Sequence, residues 1–185
     1  MQPKVLVAYA TRTGATEEVA STLAEVLRGR GLSVDVMPAK RVANIEPYGA
    51  VVIAVALYFG KMHKDVRQFL TENRASLARI PVAFFVLGPV HQEEKEWKGA
   101  QEQLEKDLKN FPWLSPVAQH IVGGRFDAAR LGFPFNLIPF FRKIPRCDSI
   151  NWELIREEAG GLAGQLSRAD SWRAVPGPEA APGTP

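Results

Sequence analysis

The six residues Thr11-Arg12-Thr13-Gly14-Ala15-Thr16 carry the clearest chemistry in the chain. They bring three hydroxyls and one glycine, and they follow directly on the apolar run Val5 to Ala10. From Thr16 onwards Val19, Leu23, Val26 and Leu27 recur at helical spacing, so the six residues connect a strand to a helix. A helix start offers amides with no intrahelical acceptor and the positive end of the helix dipole, which together attract an anion. The hydroxyls add further donors to phosphate oxygens. The plainer alternative is that Thr13 or Thr16 merely caps the helix while Gly14 serves the turn. Placement between a buried strand and an amphipathic helix favours the phosphate site. No G-x-x-x-x-G-K-[ST] or G-x-G-x-x-G follows this strand, and no carboxylates gather at its end.

Other residues with chemical potential are scattered. Lys61 and His63 fall near the start of a second helix, each a weak catalytic candidate or an ordinary polar surface residue. His91 follows the fourth strand on the same terms, and His120 lies inside the fifth as a structural residue. Arg125, after Gly123-Gly124, either meets a substrate carboxylate or forms a surface salt bridge. The single cysteine, Cys147, rules out an internal disulfide framework and a multi-cysteine metal site, so no metal is expected.

The elements that must position these residues alternate. Strands are expected at Val5 to Tyr9, Leu32 to Met37 (stopped by Pro38), Ala50 to Leu57, Val82 to Leu87 and Pro116 to Val122. Helices lie between them, with Val66, Phe69 and Leu70 on one inward stripe and Leu104 and Leu108 on another. A last helix from about Ile150 to Leu166 turns Trp152, Ile155, Ala159, Leu162 and Leu166 inward. Strands apolar on both faces, alternating with helices, imply a parallel sheet covered on both sides. The expected fold is α/β, a doubly wound three-layer sandwich with a five-stranded parallel sheet of order 2-1-3-4-5. Its ligand belongs beyond the carboxyl ends of strands 1 and 3, where the winding reverses.

With 185 residues the chain makes one domain, taken as residues 1–170, with an insert at about 126–147 and a disordered Pro/Ala/Gly tail at 171–185. A net charge of +3, with basic and acidic residues mixed, does not describe a nucleic-acid binder. No stretch approaches the length that spans a bilayer, and the first apolar run is too short for a signal peptide, so a cytoplasmic location is expected. The insert, Leu131 to Arg146, holds four Phe flanked by Arg130, Arg142, Lys143 and Arg146. Such a segment packs on its own domain, forms a homodimer contact, or meets the cytoplasmic membrane face as a peripheral anchor.

Three stretches carry a family resemblance. Tyr9-Ala10-Thr11-Arg12-Thr13-Gly14-Ala15-Thr16 resembles the [ST]-x-T-G-x-T phosphate loop of flavodoxins, whose sheet has the order expected here. Val51-Val52-Ile53 followed by Ala56-Leu57-Tyr58-Phe59-Gly60-Lys61-Met62-His63 is similar to the stretch after strand 3 in the menaquinone-dependent protoporphyrinogen oxidase-like flavodoxin group. Asp148-Ser149-Ile150-Asn151-Trp152 looks like that group's opening of the last helix. The resemblance covers roughly residues 4 to 168.

It implies FMN as cofactor, with phosphate held by Thr11, Arg12, Thr13, Gly14, Ala15 and Thr16. It implies that Ala56, Leu57, Tyr58, Phe59 and Gly60, with Leu87, Gly88, Pro89 and Val90, embrace the isoalloxazine ring. Tyr58 or Phe59 would stack on that ring, and Gly60 and Gly88 would let amides approach its polar edge. The loop Leu87 to Val90 has no aromatic, which leaves one ring face open to a substrate. The activity implied is electron transfer from a reduced substrate, protoporphyrinogen IX in the resembled group, through FMN to a quinone. A flavodoxin-type carrier serving a redox partner is the alternative, and a module that has lost flavin is a third.

Overall fold

The computed structural model describes residues 4–58, 61–91, 93–127 and 146–167. The Phe-rich stretch and the tail expected to be disordered therefore lie almost wholly outside the described residues, as do Phe59 and Gly60.

The first strand, β1 (Lys4–Ala10), leads into α1 (Ala15–Gly29), then β2 (Val34–Pro38) and a short 3-10 turn at Ala39–Arg41. Strand β3 (Tyr48–Tyr58) turns back as β4 (Lys61–Met62) before α2 (Lys64–Glu72), α3 (Arg74–Leu77) and β5 (Val82–Leu87). Helix α4 (Glu94–Leu108) and β6 (Ala118–Ile121) follow. Two-residue strands β7 (Arg125–Phe126) and β8 (Cys147–Asp148) precede the last described helix, α5 (Trp152–Leu166).

The main sheet runs β2-β1-β3-β5-β6, with every pair on that path parallel. The five parallel strands thus take the expected 2-1-3-4-5 arrangement. The additional strand β4 pairs antiparallel with the end of β3. Pro38 does not stop the second strand but closes it, paired with Tyr9. That is tolerated because β2 is an edge strand, where a missing N–H leaves no neighbour unbonded.

Side-chain alternation builds two cores from one sheet. Val5, Val7 and Tyr9 of β1 face α1 and α5, meeting Leu23, Leu27, Ile155 and Leu162. Leu6, Ala8 and Ala10 face the opposite layer, with Val66, Phe69, Leu70 and Leu104. Leu104 is therefore core, and the charges around it belong to the solvent face of α4. Both layers converge on the strands' carboxyl ends, where the connections β1–α1, β3–α2 and β5–α4 emerge side by side. No described helix is long and apolar enough to cross a membrane.

Candidate functional site

At the end of β1 the chain turns through Gly14, whose φ of 91° is a left-handed conformation that favours glycine. The Gly14 amide donates to Thr11 Oγ1 (2.8 Å), and its carbonyl accepts from the amides of Glu17 and Glu18 (both 3.1 Å). Gly14 itself holds the N-cap position of α1 and has no side chain to cap with, so Thr13 and Thr16 do not play the plain capping role. The amides of Ala15 and Thr16 come before the first helical hydrogen bonds, which begin at Glu17 and Glu18.

Two acids in the first turn would repel an anion there, and both are engaged. Tyr9 donates its hydroxyl to Glu17 Oε1 (2.7 Å). Burial first, and then the Glu17 hydrogen bond, push that hydroxyl up to about 12, so it stays a donor. Arg125 pairs with Glu18 Oε2 (2.6 Å) and with Asp148 Oδ2 (2.7 Å) and is only 12% exposed. Of the two alternatives for Arg125, the structure shows the salt bridge: two carboxylates of the protein take its guanidinium.

The second connection is a hairpin. Leu57 pairs with Met62 and Tyr58 with Lys61. Ala56 and Leu57 are half-buried, while the side chain of Tyr58 lies outside the described residues. Met62 is buried, and its amide donates to Asp107 Oδ2 of α4 (2.9 Å). Asp107 Oδ1 accepts from Arg67 (2.8 Å) and from Asn110 (3.3 Å).

The third connection, after β5, is packed against glycines. Leu87 is buried, and Gly88, Pro89 and Val90 are half-buried. The Gly88 amide donates to Gly123 O (3.1 Å), so it is committed within the protein and the amide expected at a ring edge is taken. Glycine is needed at this position for closeness: a Cβ there would sit 2.8 Å from Ile121 Cγ2. A Cβ on Gly124 would sit 2.3 Å from Gly88 O, and one on Gly123, with φ +78°, 2.1 Å from Ser149 O. Ser149 Oγ donates to Pro89 O (2.6 Å) and accepts from the Gly124 amide (3.1 Å).

Of the two weak catalytic candidates, Lys61 is exposed. His63 is the N-cap of α2, its Nδ1 accepting from the Asp65 amide (3.2 Å). Burial lowers its pKa, with Asp65 opposing and Arg12, Lys64 and Lys40 adding to the lowering. The imidazole is thus a neutral cap beside a cationic rim that includes Arg12 of the phosphate loop. His91 is exposed, 3.3 Å from Glu96 and 3.9 Å from Cys147 Sγ. His120 in β6 stacks on Phe85 at 4.9 Å, the structural place expected of it. Asp107, the hydrogen bonds of Ser149 and the identity of Glu18 as a partner of Arg125 are not apparent in the sequence. A carboxylate among the many charges of α4 and a serine before a helix carry no local mark of what they reach. Among the described residues no three His, Cys, Asp or Glu gather as a metal site.

A model of the flavodoxin domain matches residues 6–136. The chain belongs to the flavodoxin-domain family. Against the protoporphyrinogen IX dehydrogenase [quinone] of Escherichia coli strain K12, this flavodoxin-domain chain is 31% identical over 123 residues, covering 65% of itself and 68% of that relative. Solved structures agree on the fold. Rubredoxin oxygen:oxidoreductase from Desulfovibrio gigas aligns with a TM-score of 0.58 at 18% identity over 89% of this chain, which spans only 36% of that one. A Streptococcus pneumoniae TIGR4 flavodoxin aligns with a TM-score of 0.54 at 18% identity, covering 88% of this chain and 97% of that one. The flavodoxin domain binds FMN. The chemistry of the loop after β1 fits that cofactor's phosphate: three hydroxyls, a helix start and a left-handed glycine lie in one turn, and the nearby acids Glu17 and Glu18 are engaged by Tyr9 and Arg125.

Proposed function

We propose that this chain is an FMN-dependent oxidoreductase that takes electrons from a reduced substrate and passes them to a quinone, with protoporphyrinogen IX as the substrate. The observation that carries the reading is the 31% identity to a protoporphyrinogen IX dehydrogenase [quinone] across two thirds of that protein's length. FMN supplies the redox chemistry when bound, so no side-chain acid or base is obligatory. Thr11, Thr13 and Thr16 offer hydroxyls to the phosphate, and Ala15 and Thr16 offer amides, with Arg12 at the rim. Ala56 to Gly60 and Leu87 to Val90 frame the ring. The absence of an aromatic from Leu87-Gly88-Pro89-Val90 supports an approach for substrate on that side. The residues of the Leu131 to Arg146 stretch, apolar with a basic flank, suit a lipophilic substrate or a peripheral membrane contact.

The test is anaerobic mixing of FMN-loaded protein with protoporphyrinogen IX, with and without a menaquinone analogue. Bleaching of the flavin followed by quinone-dependent turnover is the expected result. Tight FMN binding with no bleaching overturns the substrate and moves the function to electron transfer with a protein partner.

A further inference from the structure

Among the described residues only two polar side chains are buried, Thr16 and Asp107. Thr16 belongs to the phosphate loop. Asp107 lies near the end of α4, far in sequence from every residue assigned to FMN, and is 4% exposed. We propose that Asp107 is a positioning residue for the flavin ring: it sets the β3–β4 hairpin and thereby governs FMN affinity. The inference rests on the FMN reading above and not on the choice of substrate.

A two-residue antiparallel pair cannot hold its own geometry, because isolated hairpins are marginal even when longer. Here the pair is Leu57 with Met62 and Tyr58 with Lys61, at the point where β3 leaves the parallel sheet. The amide of Met62 meets Asp107 Oδ2 at 2.9 Å in a buried setting. Fixing Met62 fixes Leu57 by register, and with it the direction of the chain at Tyr58. The other oxygen accepts from Arg67 of α2, which ties the helix after the hairpin to the same carboxylate. Asn110 completes the set. Packing of the Met62 side chain alone would not do this. Burial is non-directional, whereas a carboxylate with three donors specifies where each must stand. A buried charge is costly to retain for stability alone, and its best-attested use is to specify one geometry.

The experiment compares Asp107→Leu and Asp107→Asn with Leu104→Ala, a core truncation one turn earlier on α4 that packs in the same cluster as Met62 but supplies no hydrogen bond to the hairpin, so that it separates packing from the carboxylate's role. FMN dissociation constants are measured by quenching of flavin fluorescence, and the ring environment by visible circular dichroism of the bound flavin. Removing the acceptor leaves a buried amide and a guanidinium unpaired, so Asp107→Leu is expected to weaken FMN about tenfold and change the flavin dichroism. Asparagine offers one acceptor oxygen to three donors, so Asp107→Asn is expected to weaken it about threefold with a smaller dichroic change. Leu104→Ala, though less stable, should bind FMN within about twofold of the wild-type chain with the same dichroism. Asp107→Asn carries the test if Asp107→Leu does not fold. FMN binding and dichroism unchanged in the Asp107 variants, or equal weakening in Leu104→Ala, overturns the positioning role while leaving the functional reading intact. A wild-type chain that binds no FMN overturns both.

Discussion

At the proposed phosphate end, the contacts that shape the loop span three and eight residues: Gly14 to Thr11, and Tyr9 to Glu17. At the proposed ring end the corresponding contacts span 45 and 60 residues, from Met62 to Asp107 and from Ser149 to Pro89. The first region is built by its own neighbours. The second is two short connections whose shape is imposed by α4 and by the start of α5. A cofactor held across both therefore depends on local turn chemistry at one end and on tertiary packing at the other.

The sharpest way to break the ring end is Gly123→Ala. A left-handed residue and a methyl against Ser149 O act together, and about 3 kcal/mol of stability should be lost, read from a urea midpoint. A midpoint near that of the unaltered chain would mean that the Gly123–Ser149 contact relaxes freely. Next in size is Gly14→Ala at the phosphate end, where φ 91° makes alanine unfavourable by about 1–2 kcal/mol. Here FMN affinity should fall together with stability. Affinity retained at full strength would show that the turn at Gly14 is not what aims the amides.

Arg125→Met probes a long tie at the proposed phosphate end, from Arg125 to Glu18. Its two carboxylate partners are partly solvated, so the loss of stability should be only about 1 kcal/mol. Unpairing Glu18 should also weaken FMN at low salt and much less at high salt, since the repulsion is screened. Equal weakening at both salt concentrations would point to a packing defect instead.

The smallest effect concerns pH. Burial holds His63 below its ordinary value, so the unfolded chain takes up a proton before the folded one does. Stability should therefore decline as pH falls below about 6.5, until the folded pKa is reached. His63→Asn keeps a capping side chain and removes that decline, which denaturant midpoints between about pH 7 and pH 5 would report. His63→Ala, by contrast, should cost about 1 kcal/mol at neutral pH through the lost cap.

The same contrast explains what could be read from the chain in advance. The parallel sheet was legible because Val51 to Val55 and Val82 to Leu87 are apolar without interruption, as strands covered on both faces must be. The turn from β1 into α1 was legible because its hydroxyls, glycine and helix start are adjacent. Strand β4 was not, since Lys61-Met62 has neither the length nor the alternation of a strand, and its Met62 amide is held by a carboxylate 45 residues away. Gly88 was visible as a glycine with its purpose misjudged: its amide and its missing Cβ both answer to β6 and Gly123. Asp107 was invisible. One buried carboxylate among seven other charges on a helix can be recognised only from what surrounds it.

The pairing of Arg125 with Asp148 and of Phe126 with Cys147 has a consequence for how such a domain can diversify. The chain departs and returns through one two-residue clasp, with Asp127 and Arg146 facing each other at 3.7 Å across its mouth. The clasp holds the two ends of the 128–145 stretch together. Doubling the length of that stretch adds only about 0.6 kcal/mol of closure entropy. With its two ends already joined by the clasp, a stretch of different size and polarity can be exchanged there at little cost in closure.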